Sequence, residues 1–151
     1  MAKEGLTADG ERIFRELDKL AKMIVNIGFQ QGEAQEDSGV DICDIAAFNE
    51  LGTVRSPSRP FLTYSVDNNE DKISKFMQSK INEIINGKTA EQVLKEIGVF
   101  QKGIVQDTIV ESELYAPNSP KTIKRKGSST PLVDTGRMRQ SVNFVIKKKG
   151  S

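Results

Sequence analysis

Apolar residues recur at helical spacing near the start of the chain and then change to an alternating pattern. Residues 11–23 place their apolar side chains on one face, which predicts an amphipathic helix with Asp9 as its N-cap. Over 23–30 the period becomes two, which predicts a strand buried mainly on one face. The polar segment 31–39 is expected to be a mobile loop, and a second short strand is expected at 40–44.

The centre of the chain combines a short helical pattern with a proline-rich break. Asp44 is positioned to cap a helix over 45–51. The prolines at 57 and 60 make 53–60 an extended loop or arm. Alternation over 61–66 predicts a third strand. We expect three apolar residues to be buried and to hold the arm onto the sheet: Phe48, Leu51 and Phe61.

Two apolar stripes in the second half, over 73–85 and 93–105, predict two long helices. Thr89 and Gln92 have the spacing of a capping box at the start of the second helix. The short link between the stripes implies an antiparallel helical hairpin.

The last part of the chain contains short elements separated by turns. Ser119 as N-cap, Pro120 at the first helical position and Gly127 at the end predict a short basic helix. Asp134 or Thr135 is then positioned to cap one more turn, and alternation over 142–146 predicts a final strand.

These elements predict an α+β fold in one domain that spans residues 1–151. We expect a small antiparallel or mixed sheet of three to four strands, packed with the N-terminal helix and the central helical hairpin. A chain of 151 residues is long enough to bury a core without disulfides or a structural metal.

Composition removes several classes of chemistry. The chain has no His, which is the commonest general base and a common zinc ligand, and Cys43 is its single cysteine. No phosphate-binding glycine-rich loop has the required spacing. We therefore expect no enzyme activity, no cofactor and no metal site. No stretch is apolar enough for a membrane span or a signal peptide, so we expect no membrane partner and synthesis in the cytoplasm.

Two motifs have both a catalytic or metal-binding interpretation and a structural one. Asp134, Thr135 and Gly136 repeat the Asp-Thr-Gly of retroviral-type aspartic proteases, but the chain is too helical for that fold, and a helix cap explains the motif better. The acidic residues between 33 and 44 do not follow the spacing of a calcium loop, so a solvated loop is expected.

Charge is distributed unevenly along the chain. Residues 1–117 contain 13 basic and 20 acidic side chains, whereas 118–151 contain 9 basic and 1 acidic. This polarity predicts an anionic partner for the C-terminal segment, or self-association of its basic surface with the acidic body of another copy. One hypothesis is therefore a sequence-nonspecific nucleic-acid-binding accessory protein that uses residues 121–126 and 147–149.

Two stretches together resemble a known family. Residues 45–53 read Ile-Ala-Ala-Phe-Asn-Glu-Leu-Gly-Thr, and Arg-Pro-Phe follows at 59–61. Later, 116–127 read Ala-Pro-Asn-Ser-Pro-Lys-Thr-Ile-Lys-Arg-Lys-Gly, and 131–138 read Pro-Leu-Val-Asp-Thr-Gly-Arg-Met. In this content and order the chain is similar to the small neck and tail-completion proteins of tailed bacteriophages, which act in virion morphogenesis.

The resemblance implies a structural protein that completes the head-proximal end of the tail, or the neck, and supports head–tail joining. It implies a homo-oligomeric ring, with six subunits as the expected number, through which DNA passes. Tail completion, tail terminator and neck adaptor remain open as stations. The expected partners are further copies of the chain, neighbouring neck, connector or tail-tube proteins, and passing DNA in transient backbone contact.

A ring repeats one contact between two different surfaces of each subunit, so the charge polarity predicts where those surfaces are. We expect the basic side of the contact to lie in the C-terminal segment, with two arginines of the central loop as secondary contacts. The candidate residues are Arg55, Arg59, Lys121, Lys124, Arg125, Lys126, Arg137 and Arg139.

Overall fold

The structure, a computed structural model, describes residues 5–127, 131–132 and 136–151. Its described part has an α+β fold of seven α-helices, one short 3-10 helix and a two-stranded antiparallel sheet. None of the helices in these ranges is long and apolar enough to cross a membrane. The α+β class is confirmed, but the sheet is smaller than the three to four strands predicted.

The first helix, α1, spans Ala8–Ala21 and packs against two later helices. Its N-cap is Thr7, whose side chain accepts a hydrogen bond from the Gly10 amide. The predicted cap, Asp9, lies instead in the first turn and forms an ion pair with Arg12 at 3.1 Å. With Thr7 as its N-cap, the helix begins at Ala8, two residues earlier than it would with Asp9 as its N-cap.

The sheet pairs the beginning of the chain with its end. Strand β1, Met23–Gly28, follows α1, and strand β2, Asn143–Lys148, is the last element. The strands are antiparallel, with Met23 opposite Lys148 and Gly28 opposite Asn143. Both strands carry the period-two pattern and lie close to their predicted positions.

The other two predicted strands are wrong, because both segments contribute to helices. Helix α2 spans Ile42–Leu51, and Asp41 caps it by accepting the Cys43 amide, so it begins within the segment 40–44. Helix α3 spans Phe61–Asp67. Its buried side chains, Phe61 and Ser65, are four residues apart and lie on one helical face.

The predicted hairpin is formed by α4, Glu70–Ile85, and α5, Ala90–Val110. The rings of Phe76 and Phe100 stack at 3.7 Å, and Lys80 forms an ion pair with Glu96 at 3.0 Å. A residue later in α4 therefore contacts a residue earlier in α5, which shows that the two helices are antiparallel. The predicted capping box between Thr89 and Gln92 is present.

Helix α5 is the centre of the molecule, because α1, α3, α4, α7 and both strands contact it. Its N-terminus is tied to α1 by Glu16, a buried carboxylate that accepts the Ala90 amide at 2.8 Å. This hydrogen bond, together with Lys19, lowers the pKa of Glu16 despite its burial. The core cluster continues from α5 into the chain that follows it, through the side chains of Tyr115, Leu132, Met138 and Val142.

The chain after α5 contains the short 3-10 helix Ser112–Leu114, helix α6 over Pro120–Lys126 and helix α7 over Arg137–Gln140. Helix α6 has the predicted Ser119 cap and ends at Gly127, which has a φ of +72°. The cap of α7 is Gly136. Asp134 and Thr135, proposed above as its caps, lie outside the described residues.

Candidate assembly surface

The end of α2 positions the start of α3 through Glu50. The N-terminus of α3 has no side-chain cap from Pro60, the residue that precedes it. Instead, the Glu50 carboxylate accepts the amides of Leu62 and Thr63 at 2.8 and 3.1 Å, and the Thr63 hydroxyl at 2.6 Å. A carboxylate at this position satisfies backbone donors that a helix start leaves free and interacts favourably with the helix dipole.

The segment between these helices is a closed loop and does not extend away from the body as an arm. Gly52 has a φ of +77°, and a Cβ there would lie 2.8 Å from the Ser58 nitrogen, so a side chain would clash with the returning chain. Ser58 donates its hydroxyl to the Glu50 carbonyl at 2.7 Å. The Arg59 amide donates to the Asn49 carbonyl at 2.6 Å. The chain therefore leaves the end of α2 at residue 52 and folds back against α2 by residue 59. We call residues 52–59 the 52–59 loop.

Arg59 joins the two stretches of sequence that carry the family resemblance. Its side chain is only 9% exposed. Its Nε donates to the Ala116 carbonyl at 3.0 Å, and its Nη2 donates to Asn118 Oδ1 at 3.1 Å. Burial lowers the pKa of the guanidinium from its ordinary value. The structure therefore corrects the prediction for Arg59: it binds within the subunit and is too buried to serve as a surface contact.

A groove of about 450 Å³ lies where the 52–59 loop faces α6 and the start of α7. We call it the basic groove, and four of the predicted interface residues line it: Arg55, Arg59, Arg125 and Lys126. Glu36 also lines the groove, and its carboxylate lies 3.8 Å from Arg137. Among the described residues that line the groove, four side chains are basic and one is acidic.

The remaining basic candidates lie elsewhere. Lys121 and Lys124 are exposed on α6. Arg137 forms ion pairs with Asp37 at 2.7 Å and Glu36 at 3.8 Å, so it fastens α7 to the 31–39 segment. Arg139 lies 4.0 Å from Asp107 and donates to the Gln106 carbonyl, which fastens α7 to α5.

The 31–39 segment has backbone and side-chain hydrogen bonds of its own. The Glu36 amide donates to the Val40 carbonyl at 3.0 Å, and Gly32 donates to the Asp41 carboxylate at 2.6 Å. Asp41 thus caps α2 and closes this loop with the same side chain. In the described part of the chain, no group of acidic or cysteine residues is arranged to hold a metal ion.

The apolar anchors predicted for the central loop divide into one buried and two exposed residues. Phe61 is fully buried, with its ring edge-to-face with Phe29. Phe48 is 54% exposed and Leu51 is 78% exposed, so the prediction that they belong to the core is wrong. Helix α2 buries its opposite face, through Ile42 and Ala46, and this leaves the other two facing outward.

The two exposed residues continue into the loop tip. Phe48 and Leu51 are three residues apart and share a helical face, and Val54, at the tip of the 52–59 loop, is fully exposed. An apolar group of this kind on a surface is typical of a protein-protein contact. We call these three residues the apolar ridge.

Sequence reasoning missed Glu50 and Asn118. Glu50 precedes the amides that it binds by 12 and 13 residues, and Asn118 is 59 residues from Arg59. No local spacing rule connects residues so far apart. The only signal was their position inside the two resembling stretches.

Comparison of the chain with protein-family models, curated proteins and solved structures finds no significant match.

Proposed function

We propose that this protein is a structural subunit of a tailed-phage virion, acting in the neck or at the head-proximal end of the tail. One observation carries the proposal: the two stretches that resemble the family, separated by more than 50 residues, are hydrogen-bonded to each other through Arg59, Ala116 and Asn118. Their contact supports a single structural unit as the source of the resemblance, and this unit carries the 52–59 loop and the basic groove on its surface.

The shape and chemistry of this surface suit subunit assembly. The apolar ridge supplies apolar surface that a protein contact can bury, and the exposed cations of α6 supply charge that orients an approaching subunit. Lys121, Lys124 and Arg125 are exposed on α6 and form no ion pair within the described ranges. We propose a homo-oligomeric ring in which the ridge provides most of the affinity and the charges set the register.

This role needs no catalysis, cofactor or metal, and it places the protein in the virion after assembly in the host cytoplasm. A ring at the neck surrounds the path of the DNA, so transient contact with phosphates is part of the proposal. The neighbours above and below the ring would be connector or tail-tube proteins.

The test is complementation of a phage whose own copy of this gene is disrupted. The variant Phe48→Glu with Leu51→Glu introduces charge into the apolar ridge without touching the core. We expect it to fold normally and to leave heads and tails unjoined in electron micrographs. Val99→Glu is the matched control, because Val99 is a 63% exposed apolar residue on α5, outside the ridge. Normal joining by the ridge variant would refute the assembly role of this surface.

The exposed cations of α6 favour one alternative, a sequence-nonspecific nucleic-acid-binding accessory protein. Three cations that each neutralise one phosphate would give a slope of about −2.7 for log affinity against log salt on a random duplex. Replacing Lys121, Lys124 and Arg125 by Ser should then abolish that dependence. A structural subunit, in contrast, should bind duplex only weakly as a free monomer.

A further inference from the structure

The wall of the basic groove contains one buried donor that no described residue satisfies. Arg59 uses Nε and Nη2 for the Ala116 carbonyl and Asn118 Oδ1, so its guanidinium holds Asn118 in the groove wall. Nδ2 of Asn118 is buried and has no hydrogen-bond partner among the described residues. Buried donors without partners are costly, so a site with such donors favours a ligand that supplies acceptors.

The charge of the groove points to an anionic ligand. Arg55 and Arg125 line its exposed part and form no ion pair within the described ranges. Glu36, the acid among the described lining residues, lies 3.8 Å from Arg137. Arginine guanidinium groups prefer carboxylate and phosphate oxygens.

The walls of the groove favour a peptide carboxylate over a DNA phosphate. Pro57, Pro117 and Leu132 line the groove beside the arginines, so it can accept apolar atoms as well as charge. A volume of about 450 Å³ suits a few side chains of an inserted segment. Duplex DNA presents its phosphates on a convex surface that is too wide to enter.

The same chain displays a matching acidic segment. Asp67, Glu70 and Asp71 lie at the junction of α3 and α4, are all exposed and form no ion pair in the described part of the chain. We call them the acidic corner. Beside them Val66 is 50% exposed, which adds an apolar side chain to the acidic ones. By contrast, Asp37 and Glu91 are paired with cations of their own subunit.

We infer that the basic groove of one subunit binds the acidic corner of a second copy of this chain. The inference rests on the proposed assembly function and names the two surfaces of its repeated contact. Within one subunit, α3 separates the corner from the loop that borders the groove by about 10 Å, since it has seven residues. Because the two surfaces are different, the contact is head-to-tail, which is the kind of contact that a ring repeats.

Disulfide trapping tests the contact even when it is short-lived. In a Cys43→Ala background, chains with Arg125→Cys are mixed with chains carrying Glu70→Cys under mild oxidation. We expect at least ten times more crosslinked heterodimer than from Arg125→Cys mixed with Glu91→Cys. Glu91 is an exposed acid on the first turn of α5 and so reports random collision. Equal yields from the two mixtures would overturn the inference.

Exchanging the charges of the groove and the acidic corner tests this contact separately from the proposed function. A second trapping pair, Arg55→Cys on one chain and Asp71→Cys on the other, leaves Arg125 and Glu70 free to be changed. Arg125→Glu alone and Glu70→Arg alone should each lower the yield of this pair, and the two changes together should restore it.

The outcomes of these measurements are distinct. If rings form by sedimentation while trapping stays at the control level, the inference fails and the proposed function stands. If neither occurs, both fail. If Arg125→Glu weakens duplex binding and leaves trapping unchanged, the groove is a phosphate site and the inference is wrong.

Discussion

Gly98 lies in the middle of α5, at the place where β2 crosses the helix. It is buried, and a Cβ at this position would lie 2.6 Å from Cγ of Phe144 and closer still to two other carbons of the ring. Phe144 belongs to β2, so the ring can yield only if the strand or its side-chain rotamer moves. We predict that Gly98→Ala destabilises the protein, although alanine is the better helix former.

The magnitude follows from two opposing effects. Carbon atoms pack best at about 3.5–4.0 Å, so the ring must move by roughly 1 Å. Overpacking of this kind costs about 1–3 kcal/mol. Replacing glycine by alanine inside a helix contributes about 1 kcal/mol in the other direction. Gly103 provides the matched control, because it lies in the same helix and a Cβ there would meet nothing within 4 Å. The two variants share the propensity gain, so their difference measures the clash with Phe144.

The assay is urea unfolding followed by circular dichroism. We expect Gly103→Ala to raise the free energy of unfolding by up to about 1 kcal/mol, and Gly98→Ala to fall below it by about 1–3 kcal/mol. In a Phe144→Leu background, the Gly98→Ala change should lose most of its penalty. If Gly98→Ala is as stable as Gly103→Ala, the close packing of β2 on α5 described above is incorrect.

Three further predictions concern the core and the ion pairs. Glu16→Ala should cost about 1.5–3 kcal/mol in urea unfolding, because it leaves the Ala90 amide without its charged acceptor, whereas a neutral outcome would contradict the tie between α1 and α5. Hydrogen bonds from Lys88 and Lys80 hold the pKa of Glu96 at about 2, below its ordinary 4.5. The free energy of folding that ionised Glu96 contributes is therefore fully present above pH 4.5 and is lost as the pH falls toward 2. Between pH 4.5 and pH 2, the free energy of unfolding of Glu96→Gln should therefore fall less steeply than that of the unchanged chain. Phe61→Ala should cost about 3–5 kcal/mol and Phe48→Ala under about 1 kcal/mol, since the first ring is buried and the second is half exposed; equal losses would contradict this assignment.

The elements whose structure depends on residues close together in sequence could be predicted from the sequence. The stripes of α4 and α5, the capping box at Thr89 and the Ser119 and Gly127 ends of α6 all act over a few residues. The two strands also lie close to the segments predicted from alternating apolar residues. In each case the local pattern and the tertiary packing favour the same structure.

Helix α3 shows why local patterns are insufficient elsewhere. Phe61, Thr63 and Ser65 alternate as in a strand, but Phe61 and Ser65 also have helical spacing. The choice is made by Glu50, which caps the helix from a different element. The site has the same property. Arg59 is buried because Ala116 and Asn118 fold against it. That contact cannot be predicted from composition or from residue spacing.

The pairing of the first strand with the last element has a consequence for synthesis of the protein. β1 leaves the ribosome early, whereas its partner begins only at Asn143, so at usual elongation rates roughly 6–25 s pass between them. During that interval α1 and the α4–α5 hairpin can form from contacts nearer in sequence, while the side of α5 under Phe144 stays uncovered. Completion of this fold therefore waits for β2: a product truncated before β2 has its helices, an unpaired strand and an open core surface, which is the kind of species that quality-control proteases remove.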